Sequence, residues 1–366
     1  MGRTSCATGR RGAALAVPLL AMPLLAVPLL AVVPSSASAD ARPGRPRRPA
    51  QPAPPVPPTR SSPRAPGWCK PDGALTARTM PRKIRISECD LRGRTVRGAN
   101  GLEAFVPDDG TSVSAHVLRT DGAAELRVEI DERSQEISIT TRGPRLPQGR
   151  PRKSRAPLDP CTDGAYVPEP GKWPKGSTIQ WRYYPGGTGQ PIAGISRGVS
   201  NAANAVTDCT PAGRFQPPPD VSTAYAGAAS VPPDLTAQAS CGRRDGTNVF
   251  GWWAMPGAES EVLAATCVWF AGSTTVESDM ALQEYGKTWW SGDTDGGRDP
   301  RECPAGSFDT TAVVTHETGH VLGLAHVEGP DHAKLTMAPS VASCDSGPAT
   351  LGKGDYDGLI ALYGER

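Results

Sequence analysis

The chain has 366 residues, with 41 Gly and 39 Pro, and 38% of it is hydrophobic. That mix excludes a single all-helical bundle, while the length allows one or two domains with a real core. The net charge is +2, but residues 40–155 hold 23 Lys/Arg against 13 Asp/Glu and residues 156–366 hold 13 against 24. A basic half joined to an acidic half excludes a uniformly basic nucleic-acid binder.

In chain order, Arg3, Arg10 and Arg11 precede an apolar run over 13–33 and then Ala37-Ser38-Ala39. These are the three parts of a secretory signal peptide, expected over 1–39 with cleavage after Ala39. The rival is a membrane anchor, but Pro18, Pro23 and Pro28 interrupt the run and each removes a helical hydrogen bond. No membrane association is expected after cleavage. Residues 40–66 are rich in Pro and Arg and read as a solvated linker.

Residues 67–142 predict a small β-rich domain, a propeptide or an accessory module. Apolar and polar residues alternate over 83–87, 113–120, 125–130 and 136–141, with Asp- and Gly-containing turns between them. His116 stands alone in one of these strands and is expected to be structural or exposed, not a ligand. Residues 143–160 form a basic linker, either a site where a propeptide is cut or a solvated hinge. Cys6 leaves with the signal peptide, and eight cysteines remain, two in the basic half and six in the acidic half. An even number in an exported chain predicts disulfides. Cys69 and Cys89 could staple the small domain, and the other pairings stay open.

Residues 161–366 are expected to form the second domain, and from about Lys175 the chain reads as an α/β succession. Strands are predicted over 177–184, 247–255, 262–271 and 273–280. Helices are predicted over 195–207, where apolar residues recur at helical spacing, and over 310–324 and 354–363. Asp293, Asp295 and Asp299 surround Gly296 and Gly297, a loop type that can wrap calcium or simply form a solvated turn.

The predicted helix over 310–324 opens into His316-Glu317-Thr318-Gly319-His320-Val321-Leu322-Gly323-Leu324-Ala325-His326. Helical residues four apart share a face, so His316 and His320 can reach one metal ion. Glu317 stands beside the first ligand, where a carboxylate can take a proton from water. Gly323 allows a sharp exit from the helix that swings His326 back as a third ligand. Three imidazoles leave one position open, as catalytic zinc requires. The five defining letters would fall at this spacing by chance about four times in a million chains of this composition.

This pattern, H-E-x-x-H-x-x-G-x-x-H, resembles that of the metzincin zinc endopeptidases. Leu335-Thr336-Met337-Ala338-Pro339 looks like their methionine turn, which implies that Met337 packs beneath the metal without binding it. The order of the flanking segments, ending in Leu362-Tyr363-Gly364, is similar to the matrixins. The resemblance implies an α+β catalytic domain: a twisted mixed sheet, an active-site helix and a carboxy-terminal helix. It implies a secreted zinc endopeptidase acting on extracellular proteins or peptides, with His316, His320 and His326 as ligands and Glu317 as general base. Trp68-Cys69-Lys70-Pro71-Asp72 is similar to the thiol latch of matrixin proregions but is one residue short, so a Cys69–Cys89 disulfide is the simpler expectation. The opposite charges of the two halves are compatible with intramolecular inhibition by the amino-terminal half. The alternative is a non-catalytic extracellular binding protein that keeps the fold.

Overall fold

The computed structural model describes residues 65–71, 73, 75–143, 156–292 and 300–366. The expected signal peptide, nearly all of the linker over 40–66, residues 144–155, and Asp293, Asp295 and Asp299 lie outside the described residues. The fold is α+β. Nine strands make its main sheet: β1 (Lys83–Arg85), β2 (Ser112–Arg119), β3 (Ala124–Asp131), β4 (Glu136–Arg142), β5 (Thr178–Tyr184), β6 (Ser222–Ala228), β7 (Val249–Trp253), β8 (Val262–Ala271) and β9 (Thr274–Gln283). Their spatial order is β6-β5-β7-β9-β8-β2-β3-β4-β1. The first four in that order are parallel, and from β9 through β8 to β1 every pairing is antiparallel.

The strands that the alternation predicts in the amino-terminal half are present, but they do not form a separate sheet. All eight residues of β2 are buried. A strand buried on both faces needs a neighbour on each edge and a layer on each side. β8 and β3 supply the neighbours. Val113, Ala115 and Val117 point into a core with Leu126, Ile137, Met255, Trp269 and Ala281, which draws on both halves of the sequence. The other face of the sheet packs Ile179, Trp181, Phe250 and Met280 against two helices, α1 (Ala193–Ala203) and α2 (Thr310–Val321), and α3 (Lys353–Tyr363) adds Leu359 and Tyr363 to the same core.

α1 buries Ile195, Val199 and Ala202, the i, i+4, i+7 stripe of an amphipathic helix. Its Gly198 lies so close to α2 that a Cβ there would stand 2.6 Å from Val314 Cβ. α2 starts where the Asp309 carboxylate accepts the backbone N–H groups of Thr311 and Ala312, an N-cap that satisfies two otherwise free donors. It ends before the predicted residue 324 because Gly323 adopts φ +91°, the left-handed exit that glycine makes without strain. Four disulfides, Cys69–Cys89, Cys161–Cys209, Cys241–Cys267 and Cys303–Cys344, each close within one half of the chain.

Candidate metal centre

α2 presents His316 and His320 from one face, and the chain turning back after Gly323 brings His326 to them. All three are buried. The Nε2 atom of His326 lies 3.1 Å from Nε2 of His316 and 3.1 Å from Nε2 of His320. The opposite ring nitrogens are tied off. His316 Nδ1 meets the Thr336 carbonyl at 2.6 Å, His320 Nδ1 the Leu324 carbonyl at 2.8 Å, and His326 Nδ1 the Glu125 carboxylate at 2.6 Å. A carbonyl only accepts, so His316 and His320 carry their proton on Nδ1 and turn a lone pair inward at Nε2. The carboxylate fixes His326 in the same way. Burial holds His316 and His320 far below the usual histidine range, so both are neutral. Converging neutral lone pairs repel one another unless a cation lies among them. The donor set therefore fits a divalent metal that accepts imidazole nitrogen, such as zinc.

Glu317, next to the first of these histidines, is wholly buried. Its Oε2 accepts a hydrogen bond from Thr266 of β8 at 2.5 Å, while Oε1 has no protein partner. Burial pushes its carboxyl up to about 8, against the Thr266 hydrogen bond. Met337 lies under α2, where a Cβ on Gly319 would stand 2.2 Å from its sulfur. The absence of a side chain at Gly319 leaves room for that sulfur. That turn is held from α3: the Asp355 carboxylate accepts the backbone N–H groups of Thr336 at 2.8 Å, Met337 at 3.1 Å and Gly352 at 2.9 Å. Asp355 thus fixes the peptide whose carbonyl orients His316.

Sequence reasoning placed nothing from the amino-terminal half in this site, yet two of its residues are here. His116 of β2 is buried, not exposed, and stacks on His320 with ring centroids 4.2 Å apart. Glu125 of β3 orients His326. Burial alone would raise its carboxyl, but the His326 hydrogen bond and neighbouring positive groups hold it down at about 2. The available signal was in the alternation: Ser112, Ser114 and His116 share one face of β2, and Glu125, Arg127 and Glu129 one face of β3. A polar face reads as solvent-facing until a polar site is found to cover it. A second acidic group, Asp234, Glu277 and Asp279, gathers at β9 and the loop before β7.

The family model of the matrixins matches residues 257–364, from the approach to β8 through α2 and the Met337 turn to the end of α3. No curated protein matches the chain.

Proposed function

We propose that the chain is a secreted zinc-dependent endopeptidase cleaving extracellular proteins or peptides, a reading supported by the match of the matrixin family model to residues 257–364. His316, His320 and His326 hold the zinc, and Glu317 is the general base. The observation that carries this reading is the convergence of three Nε2 atoms whose partner Nδ1 atoms are tied to acceptors. Four disulfides suit an oxidising compartment. No helix among the described residues is long and apolar enough to cross a membrane.

A zinc ion at these imidazoles supplies Lewis acidity, which makes water more acidic and polarises the scissile carbonyl. The chain's own residues do the remainder. The three histidines hold the metal through nitrogen and add no negative charge to it. Glu317 takes the proton of the attacking water on its free Oε1 and passes it to the leaving amine. Thr266 fixes the other oxygen, so the carboxylate keeps one orientation during both transfers. Met337 packs beneath α2 and coordinates nothing. In this form Glu317 and the three histidines are covered, which supports intramolecular inhibition by the amino-terminal half.

A Glu317→Ala variant is expected to keep one zinc per chain and to lose at least about 100-fold of its activity, the usual size of a general-base contribution. Casein zymography of wild type and variant, with and without a chelator, together with metal analysis, reads both. Wild-type clearing by the variant would remove Glu317 from its role. A wild-type chain without zinc would end the reading.

A further inference from the structure

The two ends of the main sheet are suited to water. At one end β1 is three residues long and exposes Lys83 and Arg85. At the other, β6 has no buried residue. Shortness and charge guard a strand edge against further pairing. β8, where the amino-terminal half joins, has neither guard: its ten residues, Val262–Ala271, include no charged residue and no proline, and nine are buried. β8 is therefore an interior strand, and β2, paired with it from Ser112 to Arg119, is its regular neighbour.

The faces of β8 agree with its edge. Trp269 of β8, Met255 and Ala281 have no exposed surface, and they share one core with Val96, Leu126 and Ile137 of the amino-terminal half, which have none either. The strand Glu103–Phe105 adds main-chain hydrogen bonds across the join. The Cys241 N–H donates to the Glu103 carbonyl at 3.1 Å, and the Phe105 N–H donates to the Cys241 carbonyl at 2.9 Å. Lasting partners meet through surfaces that resemble a domain core cut in two, whereas partners that separate meet through more polar ones. All four disulfides close within one half, so only the linker over 143–160 joins the halves covalently.

The metal centre also draws on this join. His326 Nδ1–H donates to Glu125 Oε1 at 2.6 Å, and Arg142, paired with Glu125 between β3 and β4, stands 3.5 Å from the other carboxylate oxygen. The third histidine is thus oriented by a side chain that is itself braced within the amino-terminal half. Resting on the zinc-peptidase reading above, we propose that residues 67–142 are a lasting part of the enzyme, completing the sheet and core of residues 161–366 and supplying Glu125 as the positioning residue of His326. A cut in the linker then leaves one two-chain molecule and releases no propeptide. Any exposure of Glu317 to a substrate takes place in a molecule that stays whole.

The test uses the full chain with the recognition sequence of a site-specific protease placed within residues 144–155, loaded with zinc and cut. Gel filtration in about 1 M NaCl, where charges are screened beyond about 3 Å, should elute both chains together at the mass of the uncut protein. Urea should unfold them in one transition. Release of the amino-terminal fragment under these conditions, whatever state the other chain is left in, overturns the proposal. In the cut molecule Glu125→Ala should lower zinc affinity about 10- to 100-fold by chelator competition. Glu125→Gln, which keeps an acceptor oxygen, should recover part of that loss. Wild-type affinity in Glu125→Ala overturns the positioning role. If that variant does not fold, the affinity of Glu125→Gln, expected below wild type, decides instead. A wild type without stoichiometric zinc defeats the underlying reading, while the elution result still decides whether the halves part.

Discussion

Asp355 shows how a side chain at one remove can set the orientation of His316. Its carboxylate takes three backbone N–H groups, from Thr336, Met337 and Gly352, and the Thr336 carbonyl in turn takes His316 Nδ1. An asparagine in its place has one acceptor oxygen and turns an NH₂ group toward donors. Asp355→Asn should cost about 2–3 kcal/mol of stability, from buried donors left unpaired. Because the turn that orients His316 loosens, zinc affinity should fall about 10- to 100-fold, the usual effect of losing an outer partner of a metal ligand. Denaturant unfolding and competition with a chromophoric chelator measure the two. A stable variant with wild-type zinc affinity would show that Asp355 merely caps α3.

At the scale of elements, the closeness of α1 and α2 sets where His316 and His320 stand. Gly198→Ala would place its Cβ 2.6 Å from Val314 Cβ and 2.9 Å from Thr315 N. A branched side chain and a helix backbone cannot step aside as a flexible chain end can, so the helices must part. The expected cost is about 1–3 kcal/mol, with zinc affinity falling in the same variant because His316 follows Thr315 on α2. An unchanged unfolding midpoint would mean that the helices yield without cost. The elements were legible in the sequence to different degrees. α2 could be placed because its histidines, its glycine exit and Met337 follow one another within 22 residues, a local pattern that needs no knowledge of the rest of the fold. The strands of the amino-terminal half could be placed by alternation, but their partners could not. A period of two shows that a strand has two faces, not which strand lies beside it or what covers the polar one. His116 and Glu125 were missed for that reason, since one reaches the site through strand pairing with Thr266 and the other through a side-chain hydrogen bond to His326, both far away in the sequence. β6 carried too little apolar alternation to be seen at all, and it forms by pairing with β5 at the sheet's edge.

Across the whole molecule, the opposite charges of the two halves meet where the halves join. Arg119 pairs with Glu259 and Arg127 with Glu169, cations of the basic half against carboxylates of the acidic half, while Asp109 with Arg244 runs the other way. Arg244 also reaches Glu277, in the acidic group with Asp234 and Asp279, and this group makes stability depend on pH. Burial, then the nearby Asp245 and Glu277 carboxylates, push Asp234 up to about 7. Burial also raises Glu277 and, much further, Asp279. Groups held above their unfolded values near 4 bind protons more tightly in the folded chain. The contribution of Asp234 is complete below about pH 4 and is lost as pH rises through about 7. Asp109 behaves oppositely: burial alone would raise it, but hydrogen bonds from Thr111 and Arg244 hold it at about 2. Its contribution is present above pH 4 and lost on acidification toward 2. The two windows do not overlap, so one substitution separates them. Asp234→Asn removes a carboxyl that titrates between pH 4 and 7 and keeps the shape of the side chain. Histidine protonation and zinc release also change stability over that range, but they are common to both proteins and cancel in the difference. The Tm of Asp234→Asn minus that of the wild type should therefore increase steadily from pH 4 to pH 8 and stay level below pH 4. Thermal unfolding followed by far-UV circular dichroism at each pH measures it, and a difference that stays level from pH 4 to 8 would mean that Asp234 ionises in the fold as readily as in the unfolded chain.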